Sequence, residues 1–343
     1  MRFRVEPYRE DQSKEWDAFV QSDSLNGTFI QTRNFYQYHP EGRFRDCSLW
    51  IREGEKPAAA VPACLIQEEG RKGLTFFSHR GGTFGGIVLG EKYYRVGDVG
   101  EIVSALDAWL DTREDISRAV LKQTPGLYAR RDMALLDYEL FHHGYRQVNE
   151  LNLYVPCAGL PEDPVEAMSS SCRRDYRKAE KAGLCFRSLE TEAEVAAFYE
   201  LLQISLSKFD LKPIHTLQEL LDFRERRLKD IALFHGVFLG DTLMAGSMCF
   251  NYGNRVLHAQ YLSTSPEFQK YYPLYLLDAS LIRLARDRGF DAFSFGISTE
   301  EQGRVLNLGL AEFKERFASD YSIYRTFYKE KPVPDAPAGR SGE

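Results

Sequence analysis

No Cys-x-x-Cys pair occurs among the six cysteines, Cys47, Cys64, Cys157, Cys172, Cys185 and Cys249. Thiols scattered in this way through 343 residues exclude a disulfide framework and a zinc ribbon, and read as reduced, mostly core side chains. The seven histidines show no paired ligand spacing beyond His142-His143, whose side chains diverge on a helix, so no metal site is expected. Gly-x-Ser-x-Gly and the Gly-Lys-Ser/Thr of a phosphate loop are both missing, which removes the nucleophile-elbow hydrolases and the P-loop nucleotide hydrolases. Positive charge is not in excess either. The net charge is −6, so a basic site for nucleic acid or an anionic membrane has to be local. No stretch is apolar enough to cross a bilayer, and Met1-Arg2-Phe3-Arg4 runs straight into charge instead of an apolar leader. A cytoplasmic protein without a membrane span is therefore expected.

The length exceeds what one hydrophobic core usually reaches, so two domains of roughly 150 residues are expected. In the first half, Cys47–Ile51 and Ala58–Ile66 flank the turn 53–57 and predict a hairpin. Short strands follow at Leu74–Ser78 and Gly86–Leu89. Val99, Ile102, Val103, Leu106 and Leu110 then recur at helical spacing, before a strand at Ala119–Lys122, a helix at Met133–His143 and a strand at Tyr145–Val155. The second half replays this order. Leu184–Leu189 predicts an opening strand, with helices near 192–208 and 216–229. A hairpin at Ile231–Leu239 and Leu243–Phe250, a strand at Val256–Thr264, a helix over 274–286, a buried strand at Phe290–Phe295, a helix over 304–317 and a closing strand at Tyr321–Tyr328 complete it. A helix at 162–182 joins the halves. Each half thus reads as a hairpin-rich sheet followed by a βαβ crossover, a mixed α/β architecture with domains at 1–160 and 161–330. Residues 331–343, rich in Pro, Gly and charge, are expected to be a disordered tail.

Several short motifs occur along this frame in a fixed order: Trp16-x-x-Phe19, Thr28-Phe29-Ile30-Gln31-Thr32, Ser78-His79-Arg80-Gly81-Gly82-Thr83-Phe84-Gly85-Gly86 and Leu121-Lys122-Gln123-Thr124-Pro125. Pro213-Ile214-His215-Thr216, His258-Ala259-Gln260-Tyr261, Phe295-Gly296-Ile297-Ser298-Thr299 and Asn307-x-Gly309-Leu310-x-x-Phe313-Lys314 complete the set. In combination the chain, from about Trp16 to Tyr328, resembles the Fem-type aminoacyltransferases and their FemAB-like relatives of surface-polysaccharide biosynthesis. That resemblance implies two tandem GNAT-like domains, the acyl-CoA N-acyltransferase fold. It also implies transfer of an acyl or aminoacyl group to an amine on a sugar, lipid-linked or peptide acceptor, with no tightly bound cofactor. GNAT enzymes that use acyl-CoA hold its pyrophosphate on a glycine-rich turn before a helix. Here that turn reads Ser265-Pro266-Glu267-Phe268-Gln269-Lys270-Tyr271-Tyr272-Pro273, without glycine. Aminoacyl-tRNA, the donor of Fem-type enzymes, is therefore the first expectation for the donor and acyl-CoA the second. An acyl-CoA-dependent N-acetyltransferase of an amino sugar, and a non-catalytic tandem-GNAT scaffold binding a glycan or a protein, are the competing readings.

Candidate site residues follow from both sources. Plain alternation along 256–264 places His258 and Gln260 on one face and Tyr261 on the other. In a GNAT fold that strand borders the acyl group, so these residues either orient substrate or are hydrogen-bonded core groups. Asn307 and Lys314 lie seven residues apart on one helical face, beside an apolar stripe of Leu306, Leu310, Phe313 and Phe317. The resemblance maps a catalytic Phe-Lys pair onto Phe313-Lys314, where the ammonium would stabilise an oxyanion. The alternative is a solvated lysine at a helix C-terminus. The loop after His79 and Arg80, beginning Gly81-Gly82, is either an acceptor-binding lip or a set of turn glycines. His215 precedes the helix capped by Thr216 and Glu219 and is a further candidate. Arg173, Arg177 and Lys181 share one helical face, with Arg174 and Lys178 beside them, a basic run that either grips phosphates or is simply solvated.

Overall fold

The structure, a computed structural model, describes residues 2–208 and 210–331; of the tail expected over 331–343, all but Lys331 lies outside the described residues. The chain folds as two units. One holds the described residues up to Asn149 together with those from Tyr324 onward, and the other holds Glu150–Ile323.

In the first unit a four-stranded antiparallel sheet runs in the order Phe3–Pro7, Leu49–Glu53, Lys56–Val61, Val88–Leu89. The middle pair is the hairpin expected from the sequence. A second sheet places Arg45–Asp46, Cys64–Ile66, Leu74–Phe77 and Ile116–Lys122 side by side, with the last two parallel. A parallel pair requires a crossover, supplied by the helix Val96–Asp111. That helix buries Val99, Ile102, Val103, Leu106 and Leu110, the face its spacing defined. The opening strand Phe3–Pro7 and the helical turns over 10–36 were not anticipated from the sequence. They bring Trp16 and Trp50 edge-to-face, 4.8 Å apart, in a small aromatic core.

The second unit orders its strands Cys185–Ser188, Ala232–Leu239, Thr242–Tyr252, Val256–Thr264, Ala292–Ile297 and the end of Arg146–Pro156. Only Val256–Thr264 and Ala292–Ile297 are parallel, and the helix Pro273–Asp287 carries the crossover. Both units therefore repeat one plan: a hairpin, then a parallel pair bridged by a helix.

The unit boundary differs from the expected 160/161 division. The strand Arg146–Pro156 already pairs with Ala292–Ile297 from Asn152 onward. At the other end, Thr326–Glu330 pair with Arg118–Lys122 and Phe327 is buried in the first unit's core. From Tyr324 onward the final strand, Asp320–Glu330, belongs to the first unit because the hydrogen-bond partners and the apolar anchor of that stretch lie there. The helix expected over 162–182 is a 3-10 turn at Pro164–Ala167 followed by a helix at Ser170–Lys181, restarted by the Ser169 cap. Phe327→Ala is expected to lower stability by about 3–5 kcal/mol through the cavity it opens. Urea unfolding measures this, and an unchanged midpoint would show that the last strand is not part of the core.

Candidate active site

The alternation expected along Val256–Thr264 is broken. Cys249 pairs with Ala259 and Met248 pairs with Tyr261, so Gln260 is the extra residue of a β-bulge. One inserted residue shifts the side-chain phase, and His258 and Tyr261 come to the same face, opposite Phe250 and Met248. The separation of these two residues onto opposite faces is thus corrected. On that face the Tyr261 hydroxyl lies 2.7 Å from His215 Nδ1, and the buried His215 ring stands edge-on to Phe223. Burial pushes the Tyr261 phenol up to about 12, so at neutral pH it keeps its proton. His215 sits there because Thr216 caps the next helix: its side chain accepts from the Glu219 N–H, and Glu219 reaches back to the Thr216 N–H.

The parallel ladder between Val256–Thr264 and Ala292–Ile297 registers only Val256, Leu257 and His258 against Ala292, Phe293 and Ser294. Beyond Ser294 the strand bulges, and Gly296 adopts φ +80°. The carbonyls of Gly296 and Ile297 are taken by Lys314, whose Nζ donates to them at 3.0 and 2.8 Å. Lys314 is only 5% exposed, against the solvated alternative. Burial is the main cause that lowers its pKa to about 8, and the Asp278 carboxyl works in the opposite direction. Two of its three N–H donors are used by these carbonyls.

His258 is buried beside this lysine. Burial first, then the Lys314 charge, holds its pKa down at about 3, so it is neutral at physiological pH. Its Nδ1 lies 3.3 Å from the Ser294 hydroxyl, which donates to Asn152, which in turn donates to Ser322. Asp278, on the crossover helix, is fully buried, and neither of its oxygens has a hydrogen-bond partner among the described residues. Burial raises its pKa well above the usual carboxylate range, and Lys314 opposes that shift.

The remaining candidates fall out differently. Asn307 does not share a helical face with Lys314. The helix begins at Leu308, and Asn307 is its cap, accepting from the Leu310 N–H and donating to Glu300. Leu306 and Leu310 are correspondingly exposed, and the face turned inward is Ala311, Lys314 and Phe317. Phe313 packs edge-on against Tyr275 and Phe317. Gln260 contributes the bulge. On the helix Ser170–Lys181, Arg174 and Lys178 both bond Asp175, Lys178 also reaches the Tyr272 hydroxyl, and Arg177 is exposed. His79, Arg80, Gly81 and Gly82 belong to the first unit. There a Cβ on Gly81 would lie 2.3 Å from His39, and one on Gly82 would lie 2.8 Å from Ile30. Close approach of the chain to itself accounts for both glycines. Asp278, Ser294 and Asn152 were not singled out in the sequence. Asp278 left a usable signal, a lone carboxylate inside the apolar stripe of Leu277, Leu281 and Ile282.

Comparison with known proteins bears on this geometry. Residues 167–315 match the family model of the acetyltransferase (GNAT) domain. That match lies within the second unit, Glu150–Ile323. Over 94% of the chain the fold is similar to the crystal structure of FemX, with TM-score 0.68, 12% identity and 96% of that chain covered. L-PGS from Bacillus licheniformis is similar over 97% of this chain and 94% of its own, with TM-score 0.58 and 14% identity. A tandem GNAT protein from the clavulanic acid biosynthesis pathway gives TM-score 0.52 and 11% identity, over 97% of this chain and all (100%) of that one. A search of curated proteins finds no match. These likenesses show the tandem-GNAT fold expected from the sequence.

Asp278 also yields a stability test. Its folded pKa lies above the unfolded value, so its contribution is fully present below the unfolded pKa and is lost as pH rises. Asp278→Asn, which needs no proton to stay neutral, is expected to raise Tm at pH 7. The gain should vanish near and below pH ~4, where the unfolded carboxyl is itself protonated. Thermal unfolding at the two pH values checks this, and a lower Tm at pH 7 would mean that the carboxylate is ionised and paired.

Proposed function

We propose that this acyltransferase moves an aminoacyl or other N-acyl group onto an amine acceptor of cell-envelope or surface-polysaccharide assembly. The reaction is placed at Lys314 in the second unit, by direct amine attack without a covalent enzyme intermediate. One observation carries this reading: a buried lysine, fixed by two backbone carbonyls where two parallel strands part, with one N–H donor still to give. As the acceptor nitrogen bonds to the acyl carbon, negative charge grows on the carbonyl oxygen, and an ammonium fixed beforehand meets that charge at little reorganisation cost. Collapse expels the donor's oxygen or sulfur, and the proton lost by the amine balances the one the leaving group takes up. His258, with a pKa near 3, is too weak a base to take the amine's proton. Its part is to hold the bulged strand and to line the site. Tyr261, backed by His215, presents a protonated hydroxyl on the same face as His258, suited to orienting a carbonyl or protonating a leaving group. Phe313 positions the lysine helix and Asn307 caps it; both act through Lys314.

An aminoacyl donor is supported by the Fem-type resemblance, by likeness to FemX, and by likeness to the C-terminal domain of a putative lysylphosphatidylglycerol synthetase from Agrobacterium fabrum (TM-score 0.56, 11% identity, 93% of this chain and 90% of that one). It is also supported by the loop before the crossover helix, which is a 3-10 turn at Pro266–Tyr271 ending on Tyr272 at φ 59°. Pro273 then opens the helix without an N–H, so this helix start is poorly built for a pyrophosphate. The GNAT acetyltransferase match over 167–315 favours the second reading, an acyl-CoA donor. In either case Arg174, Arg177 and Lys178 are the cations proposed for donor or acceptor phosphates, and the cytoplasm is the proposed location.

Transfer assays with aminoacyl-tRNA and with acetyl-CoA decide between the donors. With the active donor, Lys314→Met is expected to lower Tm, since two buried carbonyls lose their donor, and in the folded variant to cut kcat about 10²–10³-fold with little change in KM. Near-normal turnover in the folded variant would remove Lys314 from the chemistry. Because the ammonium is the active form and its pKa is about 8, wild-type kcat should fall as pH rises through that value. The residual activity of Lys314→Met should lack this alkaline limb; a limb that persists would assign it to another group.

A further inference from the structure

The first unit contains a cavity of about 160 Å³ that the acyl-transfer reading does not use. Tyr8, Arg33, Tyr36, His39, Phe44 and His79 line it. Typical small-molecule sites are several times larger, so this one suits a single functional group of a ligand. Its chemistry is set by a buried arginine. The Arg33 guanidinium packs on two aromatic rings, its central carbon 3.5 Å from the Tyr8 centroid and 4.7 Å from that of Trp16. Aromatic contact of this kind leaves the N–H groups of a guanidinium to find their own partners. Nη1 donates to Asp46 at 2.9 Å, while Nε and Nη2 are buried with no hydrogen-bond partner among the described residues. A buried donor left unpaired is costly, and a buried charged one more so.

Two neutral donors belong to residues that line the same cavity. The Tyr36 hydroxyl is buried without a partner among the described residues, and its ring stacks on His79 at 3.8 Å. His79 accepts the Gly81 N–H at Nδ1, so its own proton is on Nε2. Glu10 also lines the cavity, and so does Asp46, whose oxygens are already engaged by Arg33 and Ser48. Apart from the Glu10 carboxylate, the groups left over among these are donors. A cation or an apolar group would leave them unsatisfied; an oxyanion with two adjacent oxygens satisfies the Nε/Nη2 edge as a bidentate pair.

We infer that the first unit carries an oxyanion site, in which the Nε/Nη2 edge of Arg33 and the Tyr36 hydroxyl bind a carboxylate or phosphate group of a ligand. This site stands apart from the acyl-transfer reading and does not depend on it.

Calorimetric titration of the full chain at fixed ionic strength, with inorganic phosphate, with N-acetylglycine and with its uncharged methyl ester, tests the inference. Saturable one-to-one binding of phosphate or of N-acetylglycine is expected, without binding of the ester, and which anion binds names the ligand's group. Arg33→Met should abolish binding. Because Arg33 also packs on two aromatic rings, Tyr36→Phe serves as the second variant. It keeps the ring stacked on His79 and deletes only an unpaired hydroxyl, so its Tm should be no lower than wild type while anion affinity falls about tenfold or more. No saturable binding of either anion, or equal binding by wild type and Tyr36→Phe, would overturn the site.

Discussion

A lysine ammonium closing the open end of a β-ladder is the interaction around which the second unit's site is built. The strands Val256–Thr264 and Ala292–Ile297 stop pairing after His258 and Ser294, and the carbonyls of Gly296 and Ile297 beyond that point go to Lys314. Gly296 is at φ +80°, and a Cβ there would approach His258 to 3.3 Å. Strand parting, glycine, histidine and lysine are therefore mutually dependent. The cost of burying the cation is offset by two charge–dipole hydrogen bonds and appears as a pKa lowered to about 8. A group in that condition is both rigid and poised to answer new negative charge.

The two units share a plan and differ in what they bury. In the second, the crossover helix and the lysine helix bring Asp278 and Lys314 within electrostatic reach of one another below the sheet. In the first, the buried charges are Arg33, Arg52 and Glu139, held by other elements. Arg52 is fully engaged with Glu6 and Glu15, as a structural ion pair should be. Arg33 is only half engaged, and that contrast between two buried arginines of one unit is what marks Arg33 as a binding group.

Much of this was legible in the sequence because periodicity is a local property. The Leu49–Glu53/Lys56–Val61 hairpin, the buried face of Val96–Asp111 and the crossover through Pro273–Asp287 each follow from a single window. What could not be read was non-local or one residue in size. The pairing of Thr326–Glu330 with Arg118–Lys122 joins segments far apart in the chain. The bulge at Gln260 carries no compositional mark, yet it alone decides that His258 and Tyr261 share a face. Asn307 was misplaced by taking a seven-residue spacing for a shared face where its residue type, followed by a helix, already described a cap. The Arg33 cavity has no sequence signature, since two unpaired nitrogens become visible only once every neighbour is placed.

The account's central claim is that acyl transfer takes place where the two parallel strands part, against Lys314. A crystal structure with a non-hydrolysable analogue of the active donor tests it most directly. The account predicts the analogue's acyl carbonyl oxygen within about 3 Å of Lys314 Nζ, on the side where the ladder ends. An analogue bound with its acyl group elsewhere, while Lys314 still caps Gly296 and Ile297 alone, would contradict it.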